Sequence, residues 1–301
     1  MYVHELGGPL DDYLLLCLGA GKSLKTIDHY SRVIWAFIHH CEADEITSHT
    51  IIAYLAWLRE NRRSSTANSY CRALRTFFNY LVVEGILDRN PMANIRTPRV
   101  SEEYPAVLDE KEAAALIRAA KRSDRDYAIV LFLLDSGARA SELTGLKYCD
   151  IDMDRCSAKV LGKGGRSRTV FFNERTARAL AKWMSRNTRG NARDILFPSQ
   201  RGGRLTVSGL RQIIKRTARR AGLENIRVFT HLLRHTFATY YVKQGGDAHT
   251  LTGLLGHKSV KTAQIYVNLV SRDLEEAHRK FSPVGRLESL NKVVYDENKA
   301  A

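Results

Sequence analysis

The chain has 301 residues, which is long enough for two domains of ordinary size. Lys and Arg number 47 against 32 Asp and Glu, so the net charge is +15, and 44% of the residues are hydrophobic. This composition excludes disorder as the general state, and the positive charge favours a polyanionic partner, with nucleic acid ahead of an anionic membrane.

Membrane segments and metal motifs are not expected. The longest apolar run near the start, Tyr13 to Leu18, is far too short to span a bilayer and follows acidic rather than basic residues, so neither a transmembrane helix nor a signal peptide is predicted. The five cysteines form no C-x-x-C pair. They predict reduced thiols in a cytosol-like compartment and no zinc site.

The first hundred residues, with a net charge of only +1, predict an all-helical bundle. Apolar residues recur with helical spacing in the stretches 27–38, 51–58 and 70–81 and, more weakly, 10–18. Ser23 and Thr47 are the predicted N-caps, and Gly85 is the predicted C-terminal stop.

A proline-rich segment then divides the chain. Pro91, Pro98 and Pro105 remove backbone donors and stop helices, and residues 101–301 carry a net charge of +14. The predicted division, in chain order, is a helical domain over 1–89, a linker over 90–105, a second domain over 106–282 and a polar tail over 283–301.

The second domain is predicted to be mostly helical. Asp109 and Glu112 form a capping box, and the residues from Tyr127 to Leu134 continue as a buried helix. Ser157–Leu161 and Arg168–Phe172 flank a glycine-rich turn and predict a hairpin, after which the chain returns to helices. The fold class is therefore mainly α: a helical bundle plus a mixed, mostly helical domain with a small β-hairpin or sheet.

The segment H-L-L-R-H at residues 231–235 begins a helix for which Thr230 is the predicted N-cap. His231 and Arg234, three residues apart, share one face of that helix. His231 and His235 have the spacing of a zinc-binding pair, but Leu232 occupies the position of the required glutamate, which argues against a metal.

Four further motifs contain residues that can act on a phosphate. Arg139 starts a helical turn in which Glu142 can orient it, and Lys163 lies at the tip of the predicted hairpin. His257 follows Gly256, and Tyr266 lies between two aliphatic residues. The glycine-containing segments at residues 162–168 and 253–259 do not fit the phosphate-binding loop G-x-x-x-x-G-K-[ST].

Taken in chain order, these motifs resemble the active-site set of the tyrosine recombinases, whose six positions match Arg139, Lys163, His231, Arg234, His257 and Tyr266. Ser65 to Ile95 is similar to the end of that family's core-binding domain. The compact two-domain length resembles the Xer and simple integrase branch, although Asn268 stands where many relatives have His. The resemblance implies a SAM-like core-binding bundle followed by a catalytic domain.

The residue types suit transfer of a phosphodiester without cofactors. Arg139 and Arg234 can hold the non-bridging oxygens as bidentate forks, while His231 and His257 supply hydrogen bonds and a route for the Tyr266 proton. Neither ATP nor a metal ion is implied. The family resemblance implies a 3′-phosphotyrosine intermediate, a 5′-hydroxyl leaving group and Lys163 as its general acid.

A basic helix near residue 210 is the candidate for the DNA major groove. Thr206 or Ser208 is its predicted cap, and Leu210, Ile213 and Ile214 are predicted to face inward. The cations expected on or beside its outer face are Arg211, Lys215, Arg216 and Arg219, and those expected from the first domain are Arg62, Arg63, Arg72 and Arg75.

The resemblance implies double-stranded DNA with an inverted-repeat core site as partner, a homotetramer on that DNA, and a cytoplasmic, nucleoid-associated location. A paralogous recombinase or accessory protein remains open as a further partner. Chromosome resolution and mobile-element integration or excision also remain open, as do two other functions, a type IB topoisomerase and a DNA-binding regulator that never cleaves. The predicted short helix Leu269–Phe281 packs either on a neighbouring protomer or on its own chain.

Overall fold

A computed structural model describes residues 1–62, 64–97, 106–162, 165–186, 194–199, 202–256 and 264–267, together with residues 278, 282 and 284. The chain divides into two compact units, Met1–Glu103 and Tyr104–Ala301. Each unit has a hydrophobic core of its own. Among the described helices, none combines the length and apolar character that crossing a membrane requires.

The first unit is a helical bundle, as predicted, with the helices α1 (Gly7–Gly19), α2 (Leu24–His40), α3 (Ser48–Asn61) and α4 (Ser64–Val83). Ser23 and Thr47 cap α2 and α3, because their hydroxyls accept hydrogen bonds from the backbone N–H groups three residues further along, at Thr26 and Thr50. Gly85 follows α4 with a φ of +70°, which confirms the predicted stop.

Aromatic side chains fill the centre of this bundle. Phe37 on α2 packs edge-on against Tyr54 of α3 and Phe78 of α4, with ring centroids 5.3 and 6.0 Å apart. All three are buried. Because each helix contributes an aromatic at its inner face, the apolar periodicity read from the sequence corresponds to one shared core.

Part of the segment assigned to the linker packs onto this bundle. Met92 is buried within the core of the first unit. Arg75 on α4 donates hydrogen bonds to the carbonyl of Ile95 and, at 2.7 Å, to the hydroxyl of Thr97. Residues 90–97 are therefore anchored to the first unit.

The second unit contains, in chain order, α5 (Glu110–Ala120), α6 (Asp124–Ser136), α7 (Ala140–Thr144), β1 (Ile151–Asp152), β2 (Ser157–Leu161), β3 (Ser167–Phe171), α8 (Glu174–Arg186), α9 (Val207–Arg220), α10 (Thr230–Lys243) and α11 (Ala248–Leu255). The capping box of Asp109 and Glu112 is confirmed, with both of its hydrogen bonds at 2.8 Å. The predicted buried helix is α6, which α5, α8 and α10 cover.

The predicted hairpin is formed by β2 and β3, which pair antiparallel from Ser157 opposite Phe171 to Leu161 opposite Ser167. The second strand begins one residue earlier than predicted. The two-residue strand β1 completes a sheet of order β1-β2-β3. So short a strand has no periodicity of its own, and only its pairing partner defines it.

The caps of α9 and α10 differ in outcome. Thr206 caps α9 by accepting from the backbone N–H of Gly209 at 3.0 Å, as predicted. The prediction that Thr230 caps α10 is wrong, because Thr230 is itself the first helical residue. The chain is still extended at Phe229, with φ −148° and ψ 166°, so Phe229 occupies the cap position without a side-chain acceptor.

Candidate active site

The candidate site begins where α6 ends. Gly137 adopts the left-handed conformation, with a φ of +59°, and a Cβ there would stand 2.5 Å from the ring of Phe237. Only glycine fits this turn, which carries the chain directly into α7. Arg139 occupies the N-cap position of α7, two residues after Gly137.

A buried carboxylate organises the arginines at this turn. Glu142 accepts from the backbone N–H and the guanidinium of Arg139, each at 2.8 Å, and from the guanidinium of Arg168 at 2.8 Å. Burial opposes its ionisation, but these donors hold the pKa of Glu142 below its usual value. The predicted pairing of Glu142 with Arg139 is confirmed, and Arg168 on β3 is a partner that sequence reasoning missed.

Arg234 is buried on α10 and lies beside this network. Its guanidinium donates to the carbonyl of Gly137 at 2.7 Å and to that of Leu255 at 2.6 Å. Burial and the nearby charges of Arg139 and Arg168 lower its pKa to about 10. Arg234 therefore remains a cation at neutral pH, held in one orientation.

Three arginines bind three successive carbonyls at the end of α11. Arg168 donates to Leu254, Arg234 to Leu255, and Arg139 to Gly256, the last at 3.1 Å. The last carbonyls of a helix have no partner within the helix and carry partial negative charge. The end of α11 thus satisfies its own acceptors with the guanidiniums and partly offsets their mutual repulsion.

Tyr266 lies in a short helical stretch, residues 264–267, and is 3% exposed. It packs with Ala238, Leu251 and Leu255. Its hydroxyl is 2.7 Å from Nδ1 of His235, and the two ring centroids are 5.8 Å apart. Burial raises the pKa of Tyr266, while the charge of Arg234 lowers it in part.

The two histidines of α10 lie one helical turn apart, with ring centroids at 6.4 Å. Desolvation and the charges of Arg234, Arg139 and Arg211 lower the pKa of His231. Desolvation, His231 and Arg234 lower the pKa of His235 to about 4. Both rings are therefore held in the neutral form near pH 7, because burial and then the surrounding positive charges oppose protonation.

Four of the six predicted catalytic positions converge in this region: Arg139, His231, Arg234 and Tyr266. Lys163 and His257 lie outside the described residues. The glycine that precedes each of them borders the arginine network: a Cβ at Gly162 would stand 3.6 Å from Oε1 of Glu142, and one at Gly256 would stand 2.6 Å from Cδ of Arg168. Within the described part of the chain, no three His, Cys, Asp or Glu residues cluster as metal ligands.

Sequence reasoning missed two members of the site. His235 was weighed only as a metal ligand, although its place directly after Arg234 on a helix next to Tyr266 is the feature that matters. Arg168 stood among several cations beside the hairpin, and nothing in its spacing separated it from them. Both interactions join residues far apart in the chain, so only the tertiary contacts reveal them.

The basic helix α9 has the predicted two faces. Leu210, Ile213 and Ile214 are buried, and the cations predicted outside are exposed: Arg211, Lys215, Arg216 and Arg219. An open groove of about 690 Å³ runs between this helix and the segment that leads to α10. Its lining includes Arg211, Lys215, Arg219, Arg227 and Phe229.

The cations predicted to contact DNA differ in whether they have partners within the protein. Arg216 is bound to the buried carboxylate of Asp126 at 3.1 Å, and Arg219 is 4.0 Å from Glu224. In the first unit, Arg72 is exposed, whereas Arg75 is half-buried and donates to the segment after α4. Arg216 and Arg75 thus have structural partners in addition to the DNA-contact role predicted for them.

Fixed guanidiniums around a buried carboxylate, near a tyrosine whose hydroxyl contacts a neutral imidazole, form an arrangement whose chemistry suits phosphoryl transfer. Comparison with protein families agrees. Residues 106–272 match the model of the phage integrase family, and residues 11–86 match the phage integrase N-terminal SAM-like domain. The chain therefore belongs to the phage integrase family: it is a tyrosine recombinase, a site-specific recombinase that cleaves and rejoins DNA.

Individual relatives support the assignment. The tyrosine recombinase XerC of Corynebacterium efficiens is 33% identical over 284 residues, which cover 90% of this chain and 89% of that protein. The fold is that of the XerH site-specific recombinase bound to palindromic difH substrate, with a TM-score of 0.73 and 22% identity. The match covers 86% of this chain and 80% of the XerH chain. The fold is also that of lambda integrase in a structure of its tetramer bound to a Holliday junction, with a TM-score of 0.69 and 24% identity. The match covers 84% of this chain and 77% of the lambda integrase chain.

Proposed function

We propose that this recombinase breaks and reforms DNA strands through a covalent 3′-phosphotyrosine formed by Tyr266. The observation that carries the proposal is the convergence of Arg139, Arg234 and Tyr266 at the end of α11. Cleavage of a phosphodiester requires a nucleophile and hydrogen-bond donors directed at the oxygens on which negative charge develops. Tyr266 supplies the first, and the two guanidiniums supply the second.

The charge of the site suits a phosphorane transition state. Arg139 and Arg168 are paired with one carboxylate, Glu142, and the buried Arg234 lies near enough to feel the charges of all three, so the cluster keeps a surplus of positive charge in a largely buried position. The arginines are already oriented by carbonyls and by Glu142, so little reorganisation is needed when a phosphate arrives. On phosphate binding, the guanidiniums of Arg139 and Arg234 donate to the non-bridging oxygens.

Lys163 and His257 complete the proposed catalytic set. Lys163 protonates the leaving 5′ oxygen, while His231 and His257 donate or accept hydrogen bonds at the phosphate. The neighbouring residues Gly162 and Gly256 border the arginine network, which supports this role. The reaction requires neither ATP nor a metal cofactor, since the bond energy is conserved in the phosphotyrosine.

DNA is held through cations of both units. In the second unit these are Arg211, Lys215, Arg216 and Arg219, and in the first they are Arg72 and Arg75. The open groove beside α9 supports the first group, and so does the charge of Arg211, which contributes after burial, Arg234 and Arg139 to lowering the pKa of His231. We infer a core-binding domain over 1–89 and a catalytic domain over 106–282, with a linker over 90–105 and a tail over 283–301.

The target is an inverted-repeat core site on double-stranded DNA, and the active assembly is a homotetramer, with a paralogous recombinase or accessory protein as a further partner. The palindromic substrate of XerH and the tetramer of lambda integrase support this proposal by fold similarity. Xer-type chromosome resolution in the cytoplasm, at the nucleoid, is the favoured biological role, supported by the similarity to XerC. Integration or excision of a mobile element is the second candidate.

The test is the covalent adduct on a nicked suicide substrate. Tyr266→Phe should retain DNA binding and form no adduct, and Arg139→Ala or Arg234→Ala should slow adduct formation by at least about 10²-fold. An adduct with Tyr266→Phe would refute the nucleophile. Counting protomers on paired sites separates this recombinase from a monomeric type IB topoisomerase, and absence of any adduct in the parent protein would favour a non-cleaving regulator.

A further inference from the structure

A second group of cations lies on α8, apart from the groove beside α9. Arg175, Arg178, Lys182 and Arg186 follow one another at intervals of three or four residues, so they form a row along one face of the helix. All four side chains are exposed. With a rise of about 1.5 Å per residue, the row is about 16 Å long.

The end of α5 adds two cations to this row. Lys121 and Arg122 are exposed and lie between α5 and α6. Lys121 and Lys182 both line two open clefts, of about 360 and 480 Å³, and the larger cleft also reaches Arg122 and Arg186. The α8 basic surface is therefore continuous, and its six residues are Lys121, Arg122, Arg175, Arg178, Lys182 and Arg186.

The nearby carboxylates do not neutralise this surface. Residues 118–127 and 174–186 together hold eight Lys and Arg against three Asp and Glu, a surplus of five positive charges. The largely buried Asp124 is shared by Lys182, at 2.9 Å, and by Arg186. One carboxylate thus fixes the heads of two cations and leaves them with a net positive charge.

The α8 basic surface and the basic face of α9 lie on different sides of α6. Asp124, which binds Lys182 of α8, and Asp126, which binds Arg216 of α9 at 3.1 Å, are two residues apart in the first turn of α6. Two residues turn a helix by about 200°, so these carboxylates point in nearly opposite directions. Among the described residues, none lines both the groove beside α9 and the two clefts.

We propose that the α8 basic surface binds the phosphate backbone of a second stretch of duplex DNA, without reading its bases, while α9 faces the DNA that is to be cut. The inference rests on the proposed DNA contact of α9 but not on the role of Tyr266. Because the two surfaces lie on different sides of α6, a duplex along α9 leaves the α8 basic surface open to another duplex.

The arrangement of the cations favours duplex DNA over an acidic protein segment. A straight row of about 16 Å spans about five base pairs of a rigid duplex, which carries one charge per about 1.7 Å of axis. An extended polypeptide carries at most one charge per about 3.4 Å, and only if every residue is acidic. Four of the six cations are arginines, whose guanidiniums can bind phosphate oxygens with two parallel hydrogen bonds.

The competing explanation is that the row is only the solvated face of α8. A capture experiment on the full-length protein decides between the two. The protein is bound to an immobilised duplex of about 30 base pairs, and a labelled duplex of unrelated sequence is then added. The surface variant combines Lys121→Ala, Arg122→Ala and Lys182→Ala, and the control variant, which removes the same charge at other exposed positions, combines Lys111→Ala, Lys147→Ala and Arg155→Ala.

We expect the parent and the control variant to capture the labelled duplex, and the surface variant to capture at least about tenfold less at about 0.1 M salt. Retention on the immobilised duplex should stay within about threefold in all three proteins, because α9 is unchanged. Equal capture by the surface and control variants, or no capture by the parent, would overturn the proposal. An equal loss of retention and capture in the surface variant would assign these cations to the first duplex and overturn a separate surface.

The parent's retention on the immobilised duplex tests the DNA contact of α9 separately, since retention without capture refutes only the second surface. Arg122→Glu, a single change at an exposed residue, provides a further variant with little effect on folding and should reduce capture at least about threefold; unchanged capture would contradict the proposal. Poly-L-glutamate of matched charge should displace the labelled duplex less well than unlabelled duplex does. Equal displacement would replace DNA by an acidic protein segment as the partner.

Discussion

Glu142 is the side chain around which the arginines are arranged. It is 1% exposed, and both of its oxygens are used, one set of bonds going to Arg139 and the other to Arg168. A carboxylate in this position is tolerable only because it is paired on both sides. Arg168 therefore holds Glu142 and, through it, Arg139, and we expect it to influence catalysis by positioning Arg139.

Arg168→Ala should lower the free energy of unfolding by on the order of 2 kcal/mol, because a charged hydrogen bond to a buried carboxylate is lost. Adduct formation should slow as Arg139 loses its fixed orientation, while Arg168→Lys recovers part of the stability and less of the rate. Urea unfolding and suicide-substrate kinetics measure both effects. Arg178→Ala, at an exposed i,i+4 pair with Glu174, is the control and should cost well under about 1 kcal/mol; an equal loss in both variants would contradict the assignment.

His235 also makes stability depend on pH. Its pKa is about 4 in the folded chain and about 6.5 in the unfolded chain, so between these values the unfolded state binds more protons. The stabilisation is complete above about pH 6.5 and is lost as the pH falls toward 4. We expect the urea midpoint to fall over this window and to fall less steeply in His235→Asn; parallel curves for the two proteins would show that His235 does not contribute.

At the scale of secondary structure, the end of α11 determines where the guanidiniums lie. Gly256 has a φ of +63°, and a Cβ there would stand 2.6 Å from Cδ of Arg168. Gly253, inside the same helix, has nothing within 4 Å of its Cβ position. A side chain would therefore be tolerated at residue 253 but not at residue 256.

Gly256→Ala should destabilise the protein by at least about 1 kcal/mol and should slow cleavage, since both the left-handed backbone and Arg168 are disturbed. Gly253→Ala should stabilise by up to about 1 kcal/mol without slowing cleavage, because alanine costs less entropy in a helix. Thermal unfolding of both variants tests the pair. Tolerance of alanine at 256 would mean that α11 can end differently without moving the arginines.

The outer face of α9 offers a test of DNA contacts at the level of one helix. Lys215 is exposed and lines the groove, whereas Arg216 on the same face is bound to Asp126. Lys215→Ala should reduce the slope of log affinity against log salt by about 1 without a change in melting temperature. Arg216→Ala should lower the melting temperature, because the buried carboxylate of Asp126 loses a partner. A lower melting temperature for Lys215→Ala together with a reduced salt slope for Arg216→Ala would assign the structural role to Lys215 and the DNA contact to Arg216.

At the scale of the whole molecule, the segment after Tyr266 is predicted to link the proposed nucleophile to assembly. Leu274, Ala277 and Phe281 predict an apolar face on a helix too short to be stable alone. These three residues lie outside the described part of the chain, so the surface that receives the segment stays a prediction. We expect that surface to belong to a neighbouring protomer.

Truncation after Asn268 should leave binding to a single site nearly intact and abolish tetrameric synapsis and recombination, because the contact that joins protomers is removed. Truncation after Ser282, which deletes only the polar tail, is the control and should recombine normally. Native mass measurement on paired sites and a two-site recombination assay read out the difference. Normal recombination by the shorter protein would place this helix on its own chain.

Local rules accounted for most of the fold. The caps at Ser23, Thr47 and Asp109 and the stop at Gly85 depend on side chains within a few residues, so they could be read directly from the chain. The cap of α10 was misplaced by one residue because a threonine suits both the cap and the first helical position, and the extended Phe229 decides between them. The strand β1 was missed because two residues carry no periodicity.

The class of chemistry could be predicted from the amino-acid sequence: spaced motifs place arginine, histidine and tyrosine in an order that fits phosphoryl transfer, and Glu142 lies close enough in the chain to Arg139 for their pairing to be foreseen. Which side chains contact each other across the domain depends on tertiary packing. Arg168 meets Glu142 from 26 residues away, and His235 meets Tyr266 from 31 residues away. Such contacts are made by the packing of whole elements, because the ends of α6, α10 and α11 must meet before any of these side chains has a partner.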